Sequence, residues 1–216
     1  MDAVIISGGN VEDSILLDLC NNSVSNDLYI IAADKGLEAC IRLAVKPDFI
    51  IGDFDSANSA ALEYAKNSGI AFEKLNPIKD DTDTEAALNI AFDNSDGDIY
   101  LLGATGTRLD HVAGNFSLLM LGLERGRNVI ILDKNNRIRI INHSMVLSKD
   151  NQYGRFVSVV PWSGVATGVN MSGFKYETKD FTFCCDKSRG ISNEIVENEA
   201  RITVDSGYLL VFETLD

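Results

Sequence analysis

Short apolar runs alternate with amphipathic stretches through the first two thirds of the chain. The runs lie at residues 3–6, 28–33, 50–51, 98–102 and 129–132. Between them, apolar residues recur at helical spacing, as in Leu37, Cys40, Ile41 and Ala44. Strands that alternate with helices are typical of a largely parallel sheet, so we expect an α/β domain with four or five strands here.

The pattern changes after Asn135. Short, roughly alternating runs follow at residues 137–140, 156–159, 181–183, 201–204 and 208–212, and glycines separate them. Such spacing favours a small antiparallel β-sandwich or barrel. We therefore predict two domains, with an α/β domain at residues 1–135 and a β domain at residues 136–216.

Paired acidic residues follow the apolar pair Ile50-Ile51. Asp53 and Asp55 stand one residue apart after Gly52, and two such carboxylates repel each other unless a cation, a proton or a basic group intervenes. Oxygen ligands without nearby histidine or cysteine favour Mg²⁺ or Ca²⁺ over Zn²⁺. Because ligands bind where the strands of an open α/β sheet end, this stretch predicts a metal and phosphate site.

A second acidic stretch, residues 79–85, precedes an apolar helical run. Thr82 and Glu85 fit a capping box, which would explain both residues structurally. The crowding of Asp80, Asp81 and Asp83 beside Lys79 also suits a second source of metal ligands. The residues leave both interpretations open.

Three further sites allow a structural and a functional interpretation. Asp34 is a helix N-cap or a ligand, and local preference favours the cap. Residues 7–10 form a plain turn or a loop whose N–H groups approach a phosphate. In residues 103–111, Arg108 offers a planar fork for phosphate oxygens, whereas Asp110 also fits a helix cap.

Composition narrows the classes of function. The chain has 216 residues, 45% of them hydrophobic, and a net charge of −13, which argues against nucleic acid or an anionic membrane as partner. No apolar run approaches the roughly 18 residues of a membrane span, and no signal peptide is recognisable. The four cysteines lack C-x-x-C spacing, so we expect free thiols and a cytoplasmic protein.

Six motifs in order resemble the thiamine pyrophosphokinase family. They are Ala33-Asp34-x-Gly36, Pro47-Asp48, Gly52-Asp53-Phe54-Asp55-Ser56, Lys79-Asp80-x-Thr82-Asp83, Gly103-Ala104-Thr105-Gly106-x-Arg108-x-Asp110-His111 and Ile191-Ser192-Asn193-Glu194. Each motif alone is weak, but their order and spacing match over most of the chain, including the change to a β-rich C-terminal part.

The resemblance implies a Rossmann-like N-terminal domain and the Mg²⁺-dependent transfer of pyrophosphate from ATP to thiamine, giving thiamine diphosphate and AMP. It also implies a homodimer in which each active site is built partly from the partner's β domain.

The same resemblance assigns roles to individual residues. Asp53, Asp55 and Asp83 would bind Mg²⁺ and the ATP phosphates. The roles of the other residues are implied in three groups: Arg108 and Asp110 catalytic, Asp34, Gly36, Lys79 and Asp80 at the nucleotide, and Ser192, Asn193 and Tyr176 at thiamine.

Two other classes of protein remain as alternatives. An aspartate pair after a strand also resembles the nucleophile motif of haloacid-dehalogenase phosphatases, which would form an aspartyl-phosphate. A non-enzymatic thiamine or nucleotide sensor would bind the same ligands without transferring a group.

Overall fold

The computed structural model describes residues 1–22, 28–53, 59–75 and 82–216. For residues 22, 59, 60 and 62 it describes the backbone alone. These residues divide into two compact units, Met1–Lys134 and Asn135–Asp216. Within the described ranges, no helix has both the length and the apolar character that crossing a bilayer demands.

The first unit is a parallel sheet with helices packed on it. Its strands are β1 (Asp2–Ile6), β2 (Leu28–Ala33), β3 (Phe49–Gly52), β4 (Ala71–Lys74), β5 (Ile99–Leu102) and β6 (Val129–Leu132). Its helices are α1 (Asp13–Asn22), α2 (Gly36–Leu43), α3 (Ser59–Asn67), α4 (Asp83–Asn94) and α5 (Leu109–Glu124). The strand order is β6-β5-β1-β2-β3-β4, and every pair of neighbours in it is parallel.

Alternation along the strands explains this layered packing. Val4, Ile6, Ala32 and Ile50 face one side, where they form a core with apolar residues of α1, α2 and α3. The intervening strand residues face the other side, where α4 packs against β1, β2 and β3. Strands β1, β2, β3, β5 and β6 are largely buried on both faces, which is why they appear in the sequence as continuous apolar runs.

The second unit contains two antiparallel sheets. Its strands are β7 (Asn136–Ile141), β8 (Ser144–Ser148), β9 (Phe156–Pro161), β10 (Val165–Ser172), β11 (Thr178–Cys184), β12 (Asn193–Glu194), β13 (Glu199–Thr203) and β14 (Leu209–Thr214). One sheet has the order β12-β9-β14-β7 and the other β11-β10-β13-β8. A shared apolar core, which includes Val159, Val211, Val169 and Ile202, joins the two sheets as a sandwich.

The predicted fold class, an α/β unit with a mostly parallel sheet followed by an antiparallel β unit, is confirmed. The sequence patterns did not reveal four strands: β4, β8, β10 and β12. In β4 only Phe72 is partly buried, and β10 contains Gly168 and register shifts against β11. β4 and β10 therefore lack a regular alternation of buried and exposed residues.

A buried carboxylate holds two strands of the sandwich together. Glu213 on β14 is fully buried and lies directly opposite Arg137 on β7. Arg137 donates two hydrogen bonds to it, at 2.6 and 2.7 Å, and Arg139 donates a third at 2.5 Å. The amide of Tyr153 supplies a fourth at 3.2 Å, so both carboxylate oxygens are satisfied.

The surroundings of Glu213 set its protonation. Burial by itself raises the pKa of Glu213, but the hydrogen bond from Arg137 and the charges of both arginines outweigh it and bring the pKa below its usual 4.5. A group whose pKa is lowered on folding stabilises the fold above its ordinary pKa, and this stabilisation is lost as the pH falls through the lowered value.

We expect Glu213→Gln to lower the free energy of unfolding by about 3 kcal/mol at pH 7, because it leaves two arginines without their counter-charge. Urea denaturation followed by circular dichroism measures this change. Below pH 4.5 the deficit should shrink, because the unfolded chain binds a proton at this carboxylate first and the native carboxylate is protonated only at its lowered pKa. Glu199→Gln, at an exposed position of β13, is the control and should stay within about 0.5 kcal/mol. A pH-independent deficit would contradict the assigned ionic role.

Candidate functional site

Three carboxylates from separate segments meet at one edge of the parallel sheet. Asp34 follows β2, Asp53 follows β3 and Asp83 is the first residue of α4. One carboxylate oxygen of each lies within 4.8 Å of the others. Two ligands on opposite sides of a Mg²⁺ ion stand about 4.2 Å apart, so this cluster (the aspartate triad) nearly has the spacing of a divalent-cation site.

The Asp34 backbone is unusual, and the residue at the N-cap position of α2 is Lys35 rather than Asp34, against the local preference for an aspartate cap. The Lys35 side chain makes no capping hydrogen bond. Asp34 itself has φ +49°, a left-handed conformation, while its amide donates to the Ile51 carbonyl at 2.8 Å. Strained φ values of this kind concentrate at functional sites, and here the conformation places the Asp34 carboxylate in the triad.

Gly36 lets α2 begin against the end of β1. A Cβ atom at this position would lie 1.8 Å from the Ile6 carbonyl oxygen, a distance that no packed structure tolerates. Gly36 therefore acts through close packing, which brings the preceding residues, Asp34 and Lys35, to the sheet edge.

Both interpretations of the second acidic stretch are compatible in the structure. The Thr82 hydroxyl accepts a hydrogen bond from the Glu85 amide at 3.2 Å, which confirms the predicted cap of α4. The next residue, Asp83, joins the triad. Thr84 in the same turn makes a 3.1 Å hydrogen bond with the buried Ser7 hydroxyl, which ties the start of α4 to the end of β1.

A cavity of about 450 Å³ lies beside the triad, in the first unit. Its lining comprises Ser7, Gly8, Gly9, Ala33, Asp34, Lys35, Thr82, Asp83, Thr84, Gly103, Ala104, Thr105, Gly106, Thr107, Arg108, His111, Val112 and Asn115. The loops after β1 and β5 form two of its walls, and β1 and β5 are adjacent strands whose connections run in opposite directions. This topological switch point is where open α/β sheets bind ligands.

The two loops touch at glycines. Gly103 has φ +65°, and a Cβ atom there would lie 2.6 Å from the Ser7 carbonyl oxygen. The Gly9 amide donates to the Gly103 carbonyl at 3.0 Å. This close approach brings the loops after β1 and β5 together beside the cavity, and both the turn and the phosphate-loop interpretation of residues 7–10 stay open.

Two side chains, one on α5 and one directly after β6, hold the loop after β5 in place. The Asn115 amide donates to the Ala104 carbonyl at 2.7 Å, and the Thr105 hydroxyl donates to Asp133 at 2.6 Å. These two contacts anchor the loop at residues 104 and 105, on the N-terminal side of Arg108, whose side chain lines the cavity.

Arg108 and Asp110 form an exposed bidentate pair. The guanidinium donates two hydrogen bonds to the carboxylate, at 2.6 and 3.3 Å. The hydrogen bond from Arg108 lowers the pKa of Asp110 to about 2, so Asp110 is ionised at neutral pH. Because both carboxylate oxygens accept from the guanidinium, positioning of Arg108 is the chemistry that this geometry supports.

In the second unit, Asn193 fastens the segment that carries Tyr176. The Asn193 side chain is buried, accepts a hydrogen bond from the Tyr176 amide at 3.0 Å and donates to the Tyr176 carbonyl at 2.8 Å. Ser192 beside it is exposed, has φ +58°, and its amide donates to the Ser158 hydroxyl at 2.9 Å. The Tyr176 ring is 62% exposed, which leaves it accessible to a ligand.

A charged cluster flanks this tyrosine. Glu194 pairs with Arg155 at 3.0 Å and with Lys175 at 3.1 Å. The hydrogen bonds from Arg155 and Lys175 lower the pKa of Glu194, and the same contact raises the pKa of Lys175. The Lys175 ammonium lies 5.6 Å from the centre of the Tyr176 ring, over one of its faces.

Nine of the twelve candidate residues from the sequence lie within the described ranges. Asp55, Lys79 and Asp80 lie outside the described residues, so their predicted roles stay predictions. Sequence patterns did not single out Ser7, Thr84 or Asn115, because a lone polar residue in a loop or helix carries no local signal of a tertiary contact.

Comparison with known families and proteins agrees with this geometry. The family model described as thiamin pyrophosphokinase, catalytic domain, matches residues 20–131, and that described as thiamin pyrophosphokinase, vitamin B1 binding domain, matches residues 142–209. A thiamine pyrophosphokinase of Bacillus subtilis (strain 168) is 26% identical over 212 residues, covering 98% of each chain.

Solved structures share the fold over the whole chain. The crystal structure of thiamine pyrophosphokinase from Bacillus subtilis has a TM-score of 0.89 at 24% identity and covers 100% of both chains. That of thiamin pyrophosphokinase from Geobacillus thermodenitrificans has a TM-score of 0.87 at 25% identity and covers 100% of this chain and 98% of the other. With both parts of the sequence matched in order by its two domain models, the chain belongs to the thiamin pyrophosphokinase family.

Proposed function

We propose that this protein transfers pyrophosphate from ATP to thiamine. The thiamine hydroxyl oxygen attacks the β-phosphorus, the bond from that phosphorus to the α–β bridging oxygen breaks, AMP leaves, and the hydroxyl proton passes to a base. The observation that carries the proposal is the convergence of Asp34, Asp53 and Asp83 beside a glycine-lined cavity at the switch point of the sheet. Family membership supplies the reaction class.

The triad suits Mg²⁺. Three carboxylate oxygens within 4.8 Å form a hard, anionic donor set that fits this ion. A bound Mg²⁺ would neutralise charge on the triphosphate and favour departure of AMP. The protein itself would hold the three carboxylate oxygens in place, from the residues directly after β2 and β3 and from the first residue of α4. Asp55 and Asp80 remain proposed contributors to the metal and phosphates.

Cationic groups would position the nucleotide. Arg108 lines the cavity, and we assign it to the phosphate oxygens, with Asp110 fixing its orientation. Lys79 is proposed to act beside them. In-line transfer depends on such positioning and on electrostatic stabilisation more than on covalent catalysis.

Thiamine recognition is assigned to the second unit. Ser192 and Asn193 form the predicted polar contact, and Tyr176 offers an aromatic face to the cationic ligand. Because the Asn193 amide is already bonded to the Tyr176 main chain, its contribution includes holding this aromatic in place. Lys175 lies over one face of the ring, so we expect thiamine at the other.

Neither alternative class gains support from the family matches. A haloacid-dehalogenase phosphatase would leave the match of residues 142–209 to a vitamin B1 binding domain unexplained. A non-enzymatic sensor would not require the catalytic-domain match at residues 20–131.

We also propose a cytoplasmic location. All four cysteines, Cys20, Cys40, Cys184 and Cys185, are free thiols, which suits a reducing compartment.

A product assay that resolves AMP from ADP tests the reaction. With ATP, Mg²⁺ and thiamine together we expect AMP and thiamine diphosphate in equal amounts, and neither product when thiamine or the metal is omitted. Release of inorganic phosphate without thiamine would instead identify a phosphatase.

Asp83→Asn should lower kcat at least about 100-fold, because it removes one of three metal-binding carboxylates, while the circular dichroism spectrum stays unchanged. Asp93→Asn, at an exposed position of the same helix, is the matched control and should retain full activity. A near-normal kcat for Asp83→Asn would contradict the catalytic role proposed for the triad.

Ser192→Ala and Tyr176→Ala should raise the KM for thiamine by about 10-fold and leave the KM for ATP within about twofold. Steady-state kinetics with each substrate varied in turn measures the two KM values separately. Ser144→Ala, an exposed serine on β8, should change neither constant. Equal effects on both KM values would argue against a thiamine site in this segment.

We propose a homodimer with shared active sites, so light scattering should give about twice the 23.6 kDa chain mass. Co-expression of the Asp83→Asn and Tyr176→Ala variants should then produce mixed dimers with one site that contains both native residues, so that turnover with a near-native KM for thiamine returns, which neither variant shows alone. A monomeric mass, or dimers that show no complementation, would contradict this assembly.

A further inference from the structure

Lys35 occupies a distinctive position at the mouth of the cavity. It lies between Asp34 of the triad and the buried Gly36, and its exposed side chain lines the cavity. Its backbone is right-handed helical, with φ −63° and ψ −16°, so a long side chain is accommodated without strain. A Cβ atom on Gly8 would lie 3.4 Å from the Lys35 Cβ, which shows that Lys35 starts against the loop after β1.

The formal charges at the site favour a further cation beside the triad. The triad carries three formal negative charges, and a divalent ion cancels only two of them before a polyanionic triphosphate enters. Arg108 lines the cavity but is already paired with Asp110, so the pair adds no net charge. Within the ranges that the structure describes, no carboxylate forms a salt bridge with Lys35.

We propose that Lys35 is a further substrate-binding residue, which contacts a phosphate oxygen of the nucleotide through its ammonium group. The proposal rests on the proposed function and deepens it, since it names the group that receives the triphosphate beside the metal. A flexible ammonium with three donors suits a phosphate chain that must be held while its β-phosphorus is attacked.

The test compares ligands with and without phosphates. Isothermal titration calorimetry in the presence of Mg²⁺ should show about 10-fold weaker ATP binding for Lys35→Ala and a larger loss for Lys35→Glu. Adenosine, which has no phosphate, should bind both variants as it binds the native protein. Lys35→Arg should retain most of the ATP affinity, and the KM for thiamine should not change.

Lys46→Ala is the matched control, an exposed lysine of the same unit that does not line the cavity, and it should bind ATP normally. Unchanged ATP affinity in Lys35→Ala would overturn the proposal. An equal loss for ATP and adenosine would also overturn it, because that result indicates a structural role. If the native protein formed no AMP from ATP and thiamine, the proposed function would fail, whereas selective loss of ATP over adenosine would still support phosphate binding by Lys35.

Discussion

Mutual repulsion among three carboxylates is the constraint around which the first unit is arranged. At 4.8 Å, a pair of negative charges repels by roughly 3 kcal/mol at the effective dielectric found near protein surfaces. The sheet imposes the proximity: β2 and β3 are parallel neighbours, so Asp34 and Asp53 emerge at the same edge, and the capped start of α4 brings Asp83 to them. A divalent cation bound between them would offset this repulsion, which is a physical reason to propose a metal at the triad.

The same edge contains the other features that an anionic ligand needs. The glycine contact between the loops after β1 and β5 opens the switch point of the sheet, and Asn115 and Asp133 anchor the loop that presents Arg108. The left-handed Asp34 backbone places a carboxylate where a regular helix start would turn it away.

The second unit uses buried polar groups differently. Glu213 is bonded to two arginines and fastens β14 to β7, whereas Asn193 uses its amide to fix the segment of Tyr176. In both cases a buried group with satisfied hydrogen bonds fixes backbone geometry. Ser192 and Tyr176 beside Asn193 remain exposed.

The sequence by itself determined the strands and helices with strong periodicity, the Thr82 cap, the change to an antiparallel unit and the acidic character of the site. These are local properties, because hydrophobic period and capping act over a few residues. It left Asp34 undecided between cap and ligand, marked Lys35 only as a residue beside the motifs, and gave no partner for Ser7 or Asn115. Only the tertiary structure shows that Asp34 lies beside Asp53 and Asp83 and that Ser7 bonds to Thr84, because the order of parallel strands, which no local pattern encodes, determines which loops share an edge and which side chains meet there.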